Sequence, residues 1–254
     1  MSETRVVVVT GGASGIGEAT ARRFVAAGWT VEIADLDVAR GTGVAAEIGA
    51  GFTALDVVDD QATEVFAATV WARHGGVRAL VNSAGILQNA VRATEMEMAE
   101  FDRIHDVNTR AVLLMNRAFG AAMAGAGQGA IVNLGSLTSF RPSGQPAYAI
   151  GKAAIRMMTE VLAAELGPRG VRVNAVAPGY VLTPAMRARI DGGQRDPALM
   201  IERSALRRLV QPAEVAEAIL FLCSDAASAI TGVTLPVDCG WLAASAYGAY
   251  AAVP

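Results

Sequence analysis

Short β-branched runs alternate with longer amphipathic or alanine-rich stretches along the whole chain. Residues 6–9, 30–34, 51–55, 77–81, 130–133 and 171–176 read as buried strands, and a seventh is expected near 234–237. Helical patterns fill the gaps between them. Parallel strands cannot be joined by a tight hairpin and need a long crossover, so this alternation predicts an α/β fold with a parallel sheet and helices on both faces, in three layers. Punctuation supports the register. Pro146 stands near the start of the helix carrying Tyr148, Gly167-Pro168 closes it, and Asp37 is placed to cap the helix after the second strand. The stretch 184–211, rich in Arg, Gly and Pro, receives no element. No Pro/Ser-rich or charge-dense linker interrupts the pattern, so one domain is expected over residues 1–254.

Composition narrows the class. Hydrophobic residues make up 53% of the 254 residues and charged residues 18%, with a mean hydropathy of +0.38, which predicts a core buried on several sides and apolar subunit interfaces. The longest uncharged run, 118–140, is interrupted by five glycines and carries Gln128 and Asn133, so it reads as helix end, turn and strand, and no membrane span is expected. Four valines before a glycine turn are too short for the apolar region of a signal peptide, and a cytoplasmic protein is expected. Cys223 and Cys239 have neither metal-ligand nor disulfide-framework spacing, so both are read as reduced thiols. A net charge of −3 without a basic cluster argues against a nucleic-acid partner. His74 and His105 have no second ligand at metal spacing, and no metal is expected.

Two constellations carry chemistry. The first strand runs into Thr10-Gly11-Gly12-Ala13-Ser14-Gly15-Ile16-Gly17 and then a helical pattern, which places a glycine-rich turn at a helix N-terminus. Backbone N–H groups and the helix dipole favour a diphosphate there, and glycines let the backbone approach it. Asp35, at the end of the second strand, comes 18 residues after Gly17, where a ribose-binding carboxylate belongs in a dinucleotide fold, with Leu36 beside it. A 2′-phosphate would meet that carboxylate without a cation in the glycine turn, so NAD is favoured over NADP, although Arg40 could swing toward the pocket. The second constellation is Tyr148 and Lys152. Positions i and i+4 share a helix face, and an ammonium beside a phenol favours the phenolate, which suits acid/base work.

Together with Asp56, Asn82-Ser83-Ala84-Gly85, Asn108, Ser136 and Pro178-Gly179, these motifs resemble, in order and spacing, those of the short-chain dehydrogenase/reductase superfamily from Val6 to about Gly240. The resemblance implies a Rossmann-type doubly wound sheet of about seven strands. It implies that Asp56 receives the adenine amino group, that Val57 flanks the ring, and that Asn82, Ala84 and Gly85 line the cofactor. Pro178, Gly179, Val181 and Thr183 would hold the nicotinamide. Tyr148 would be the general acid/base, with Lys152 depressing its pKa and holding the nicotinamide ribose, and Ser136 donating to the substrate oxygen. Asn108 would sit where a helix opens to admit a water linking Lys152 to solvent. Departures from the family pattern are Ser83 for a second asparagine, Cys239 for a glycine, and a spacing of 12 between Ser136 and Tyr148 where one more is frequent. The last puts the shape of the intervening loop in question.

The expected activity is interconversion of a secondary alcohol and a ketone with NAD(H). A small polyol or cyclic alcohol is the favoured substrate, and Leu87, Leu137, Thr138, Gln145, Tyr180, Met186 and Met200 are candidate pocket residues. An NADPH-dependent 3-oxoacyl-thioester reductase and a non-catalytic dinucleotide-binding protein compete with it. So does a sugar epimerase or dehydratase, which usually carries a larger C-terminal domain than the roughly 75 residues after Gly179. After Asp238 come 16 residues without charge, including Trp241, Leu242, Tyr247 and Tyr250. Such an apolar tail, 241–254, is expected to be buried at a contact in a homotetramer.

Overall fold

The structure, a computed structural model, describes residues 5–247. Seven strands, β1 (Val6–Thr10), β2 (Thr30–Asp35), β3 (Gly51–Ala54), β4 (Ala79–Asn82), β5 (Gly129–Leu134), β6 (Val171–Pro178) and β7 (Thr234–Val237), form one all-parallel sheet in the order β3-β2-β1-β4-β5-β6-β7. This is the expected Rossmann-type sheet. The valine run of β1 shows why it has three layers. Val6 and Val8 pack on one face against α3 (Asp60–His74), α5 (Ala111–Ala126) and α6 (Pro146–Leu166), through Phe66, Phe119 and Leu166 among others. Val7 and Val9 pack on the other against α1 (Gly15–Ala26), α2 (Val38–Ile48) and α9 (Pro212–Cys223), through Phe24, Val44 and Ile219. A strand buried on both faces loses its polar/apolar alternation, which is why the strands read as continuous apolar runs.

Successive strands move outward from β1 in opposite directions, β2 to one side and β4 to the other. The loops leaving β1 and β4 therefore diverge and leave a crevice at the carboxyl ends of the strands, the place where open α/β sheets take ligands. Thr10 stitches its floor: its hydroxyl oxygen accepts the N–H groups of Ser83 and Ala84, each at 3.1 Å. Asp37 caps α2 by accepting the Arg40 N–H at 3.0 Å, and Pro146 is the first residue of α6, both as expected.

The unassigned stretch 184–211 holds two short helices, α7 (Pro184–Asp191) and α8 (Pro197–Glu202). Each begins with the same signal. Thr183 accepts the Met186 N–H at 3.2 Å ahead of Pro184, and Asp196 accepts the Ala198 N–H at 2.8 Å ahead of Pro197. Ahead of α5, helix α4 (Met98–His105) continues through a π-turn at Asp106–Arg110. Helix α10 (Trp241–Tyr247) follows β7, and the tail beyond it, including Tyr250, lies outside the described residues. Among the described residues no helix is long and apolar enough to cross a membrane.

Candidate active site

A cleft of about 700 Å³ opens at the carboxyl ends of the strands. Its nucleotide end is built from close approaches. A Cβ at Gly17 would fall inside the carbonyl oxygen of Gly11, and a Cβ at Gly11, where φ is +67°, would lie 2.8 Å from the Cα of Ala84. The backbone itself thus forms the wall. Ser14 stands at the N-cap of α1 without a side-chain capping bond, so the first amides of that helix are left to a ligand. Asp35 accepts the N–H of Ala13 at 2.9 Å and that of Asp37 at 3.0 Å, which fixes the carboxylate at the rim with lone pairs to spare. Asp56 accepts the Val58 N–H at 3.1 Å, a turn role compatible with lining the cleft. These features fit a dinucleotide: a diphosphate at the α1 amides and a ribose at Asp35.

Of the residues expected at the cofactor, Gly11, Ser14, Gly15, Ile16, Gly17, Asp35, Leu36, Asp56, Val57, Ala84, Gly85, Pro178, Gly179, Val181 and Thr183 line this cleft, with Tyr148 and Lys152. Asn82 does not. Its amide turns into the core and donates to Asn116 Oδ1 at 2.9 Å and Asn133 Oδ1 at 2.8 Å, and Asn133 donates to Thr159 at 3.1 Å. Four polar side chains, Asn82, Asn116, Asn133 and Thr159, tie β4 and β5 to α5 and α6 below the cleft. Sequence reading missed Ser83, Ile86, Val107, Leu134, Pro184 and Ala185, which also line the cleft. Most of them adjoin a residue that was singled out.

At the other end stand Ser136, Tyr148 and Lys152. The Ser136 side chain faces the Tyr148 hydroxyl closely enough to lower its pKa. Lys152 Nζ donates to the Leu134 carbonyl at 2.6 Å and sits 5.6 Å from the centre of the Tyr148 ring. Burial pushes the Tyr148 phenol up, and Ser136 pulls it partly back. Burial also lowers the Lys152 ammonium to about 8. Burial is the larger of the two influences on the Tyr148 phenol. Gly151 lets α6 approach the π-turn, since a Cβ there would lie 2.8 Å from Thr109 Oγ1.

Asn108 is fully buried in that π-turn. It accepts the Ile86 N–H at 2.8 Å and donates to the Ile86 carbonyl at 2.9 Å, which holds the loop after β4 in place. Of the candidate pocket residues, Leu87 and Met186 line the cleft. Leu137 and Met200 are buried in packing, Leu137 as the first residue of the turn that Ser136 caps. Thr138 and Gln145 lie outside the lining, and Tyr180 packs edge-on against Trp241 at 6.0 Å.

An enoyl-(acyl carrier protein) reductase family model of the short-chain dehydrogenase type matches residues 11–242. The chain belongs to the short-chain dehydrogenase/reductase superfamily. It is 38% identical to galactitol 2-dehydrogenase of Rhizobium johnstonii, over 92% of this chain and 93% of the relative. It is also 38% identical to cyclopentanol dehydrogenase of a Comamonas species, over 94% and 97%. A crystal structure from Brucella melitensis, described as ribose-5-phosphate isomerase, superposes with a TM-score of 0.95 at 40% identity, covering 98% of this chain and 96% of that one. Within this superfamily the chain is an oxidoreductase acting on CH–OH groups through a nicotinamide dinucleotide.

Proposed function

We propose that the protein interconverts a secondary alcohol, a small polyol or cyclic alcohol, and the corresponding ketone with NAD(H). The observation that carries this reading is the convergence of Ser136, Tyr148 and Lys152 at one end of a cleft whose other end is a glycine cradle beside Asp35. The dinucleotide supplies the hydride acceptor or donor and, when oxidised, a positive charge. Ser136 orients the reacting oxygen by hydrogen bonding. The neutral Tyr148 phenol donates its proton to that oxygen in ketone reduction and, as phenolate, takes it back in alcohol oxidation. Lys152, charged below about pH 8, supports the phenolate once added positive charge offsets desolvation. Asn108 holds the loop that carries Gly85 and Ile86 against the site.

The apolar lining at Leu87 and Met186, and the galactitol and cyclopentanol activities of the two relatives, support the substrate class. The isomerase description of the Brucella protein belongs to a different reaction class, one that needs no dinucleotide cradle. Asp35 at the rim supports NAD over NADP. Exposed Ile150, Met157 and Val161, spaced along one face of α6, support a homo-oligomer, a tetramer in this reading. A monomeric mass by light scattering would remove that part. A cytoplasmic location belongs to the same reading, and fractionation of cells tests it.

Tyr148→Phe tests the chemistry. Turnover on a panel of polyols and cyclic alcohols, followed as NADH absorbance, should fall at least about 100-fold while NADH binding stays near wild type, since the variant loses a proton donor and little cofactor contact. Retention of a tenth of wild-type turnover would reject Tyr148 as the acid/base.

A further inference from the structure

The N-terminus of α6 raises a question that its own sequence does not answer. The first amides of a helix need acceptors, and the N-cap residue Gln145 makes no side-chain capping bond. Pro146 needs none, but Tyr148, two residues on, carries a free N–H in the first turn. Its partner comes from 60 residues away: Gln88 Oε1 accepts the Tyr148 N–H at 3.0 Å. The orientation of the amide follows from the chemistry, because a backbone N–H can be met only by the oxygen end, which leaves Nε2 facing Met96 Sδ at 3.4 Å.

Gln88 is 1% exposed, in the loop that leaves β4 and carries the cleft residues Ala84 to Leu87. Its backbone is anchored as well. Its carbonyl accepts from Gln145 Nε2 and from Arg189 Nη1 of α7, the latter at 3.4 Å. A buried glutamine thus joins the cofactor-facing loop, the first turn of α6 and the helix beside the substrate end. The group it holds is the backbone of the acid/base residue.

We infer that Gln88 is a positioning residue for Tyr148: it caps α6 from outside and sets where the phenol stands relative to Ser136 and Lys152. This rests on the reading of Tyr148 as the acid/base. Helix caps are ordinarily local Ser, Thr, Asp or Asn side chains. Supplying one from the cofactor loop couples the placement of Tyr148 to the element that also faces the nicotinamide end of the cleft.

Gln88→Met keeps the volume and removes the strong acceptor, whereas Gln88→Glu keeps an acceptor at the same place. For Gln88→Met, kcat for alcohol oxidation should fall by about 10- to 100-fold, the size of effect that a misplacement of about 1 Å can produce. The alcohol KM and the NADH dissociation constant should change less than about threefold, a split that a general loss of structure would not give. Gln88→Glu should return kcat to within about threefold of wild type. A kcat within threefold of wild type in Gln88→Met would overturn the inference. If Gln88→Met no longer binds NADH, Gln88→Glu decides: a loss of more than about tenfold in kcat with NADH binding intact overturns it, and retained kcat supports it. Tyr148→Phe, assayed alongside, separates the two levels. If that variant stays active, the acid/base reading fails; if it is inactive while Gln88→Met is unaffected, only the role of Gln88 fails.

Discussion

The two ends of the cleft are made in different ways. The nucleotide end is contiguous in sequence and built from backbone: Gly11, Gly15 and Gly17 lie within seven residues, and a Cβ at Gly11 or Gly17 would meet backbone atoms. The substrate end is assembled from distant pieces. Leu87, Ser136, Tyr148 and Met186 come from four segments held together by side-chain bonds such as those of Asn108 to Ile86 and Gln88 to Tyr148. A backbone cradle has little room for side chains at Gly11 and Gly17. A side-chain assembly can be re-cut residue by residue while the chemistry beside it stays, which suits a fold whose relatives oxidise alcohols as different as galactitol and cyclopentanol.

The sharpest way to break the contrast is Gly17→Ala. Its methyl group would meet the Gly11 carbonyl, which has nowhere to move, so NADH affinity by fluorescence titration should drop at least about 100-fold, in the range that lost close backbone contacts to a phosphate allow. Binding within tenfold of wild type would mean that the cradle is not rigid.

Lys152→Met probes the chemical end, where function and stability oppose each other. Lowering the ammonium from 10.5 to about 8 penalises the folded protein below pH 8, by about 3 kcal/mol, and that penalty fades as pH rises toward 10.5. Less about 1 kcal/mol for the lost bond to Leu134, the cofactor-free variant should be inactive yet more stable than wild type by about 2 kcal/mol at pH 7. Thermal melts should show the gain as about 5 °C at pH 7, vanishing near about pH 10, where the fading penalty equals the lost bond to Leu134. A variant less stable than wild type at pH 7 would show that the amine is not held against a desolvation cost.

Asp35→Asn should shift the NAD-to-NADP ratio of kcat/KM by about tenfold toward NADP, the scale of one removed charge repulsion near a phosphate at the cleft rim. Equal use of both cofactors by the wild type would take away its basis. The smallest effect belongs to the substrate end. Met186→Ala should change the KM for the alcohol by about three- to tenfold, as removing a few methylene-sized contacts does, and leave the NADH dissociation constant unmoved. A larger change in cofactor binding than in alcohol KM would show that the two ends are not separable.

The strand runs, the caps at Asp37 and Pro146, the glycine turn and the Tyr148/Lys152 face were all legible in the sequence, because periodicity, capping and i, i+4 proximity are local properties of the chain. The starts of α7 and α8 carry the same kind of signal, at Thr183-Pro184 and Asp196-Pro197, but the arginines and glycines around them obscure it and the sequence reading assigns no element there. Which way a side chain faces was not legible. Asn82 adjoins the cleft in sequence but turns into a buried amide network, Leu137 and Met200 face packing, and Gln88 meets the Tyr148 N–H 60 residues away. The balance of Tyr148 likewise depends on burial, which lifts its pKa against the pull of Ser136. Sequence by itself determined the elements, their order and the chemistry available. Only the packing of α6 against the loop after β4 decided which polar groups are desolvated and which meet, since both depend on contacts between segments that no local spacing encodes.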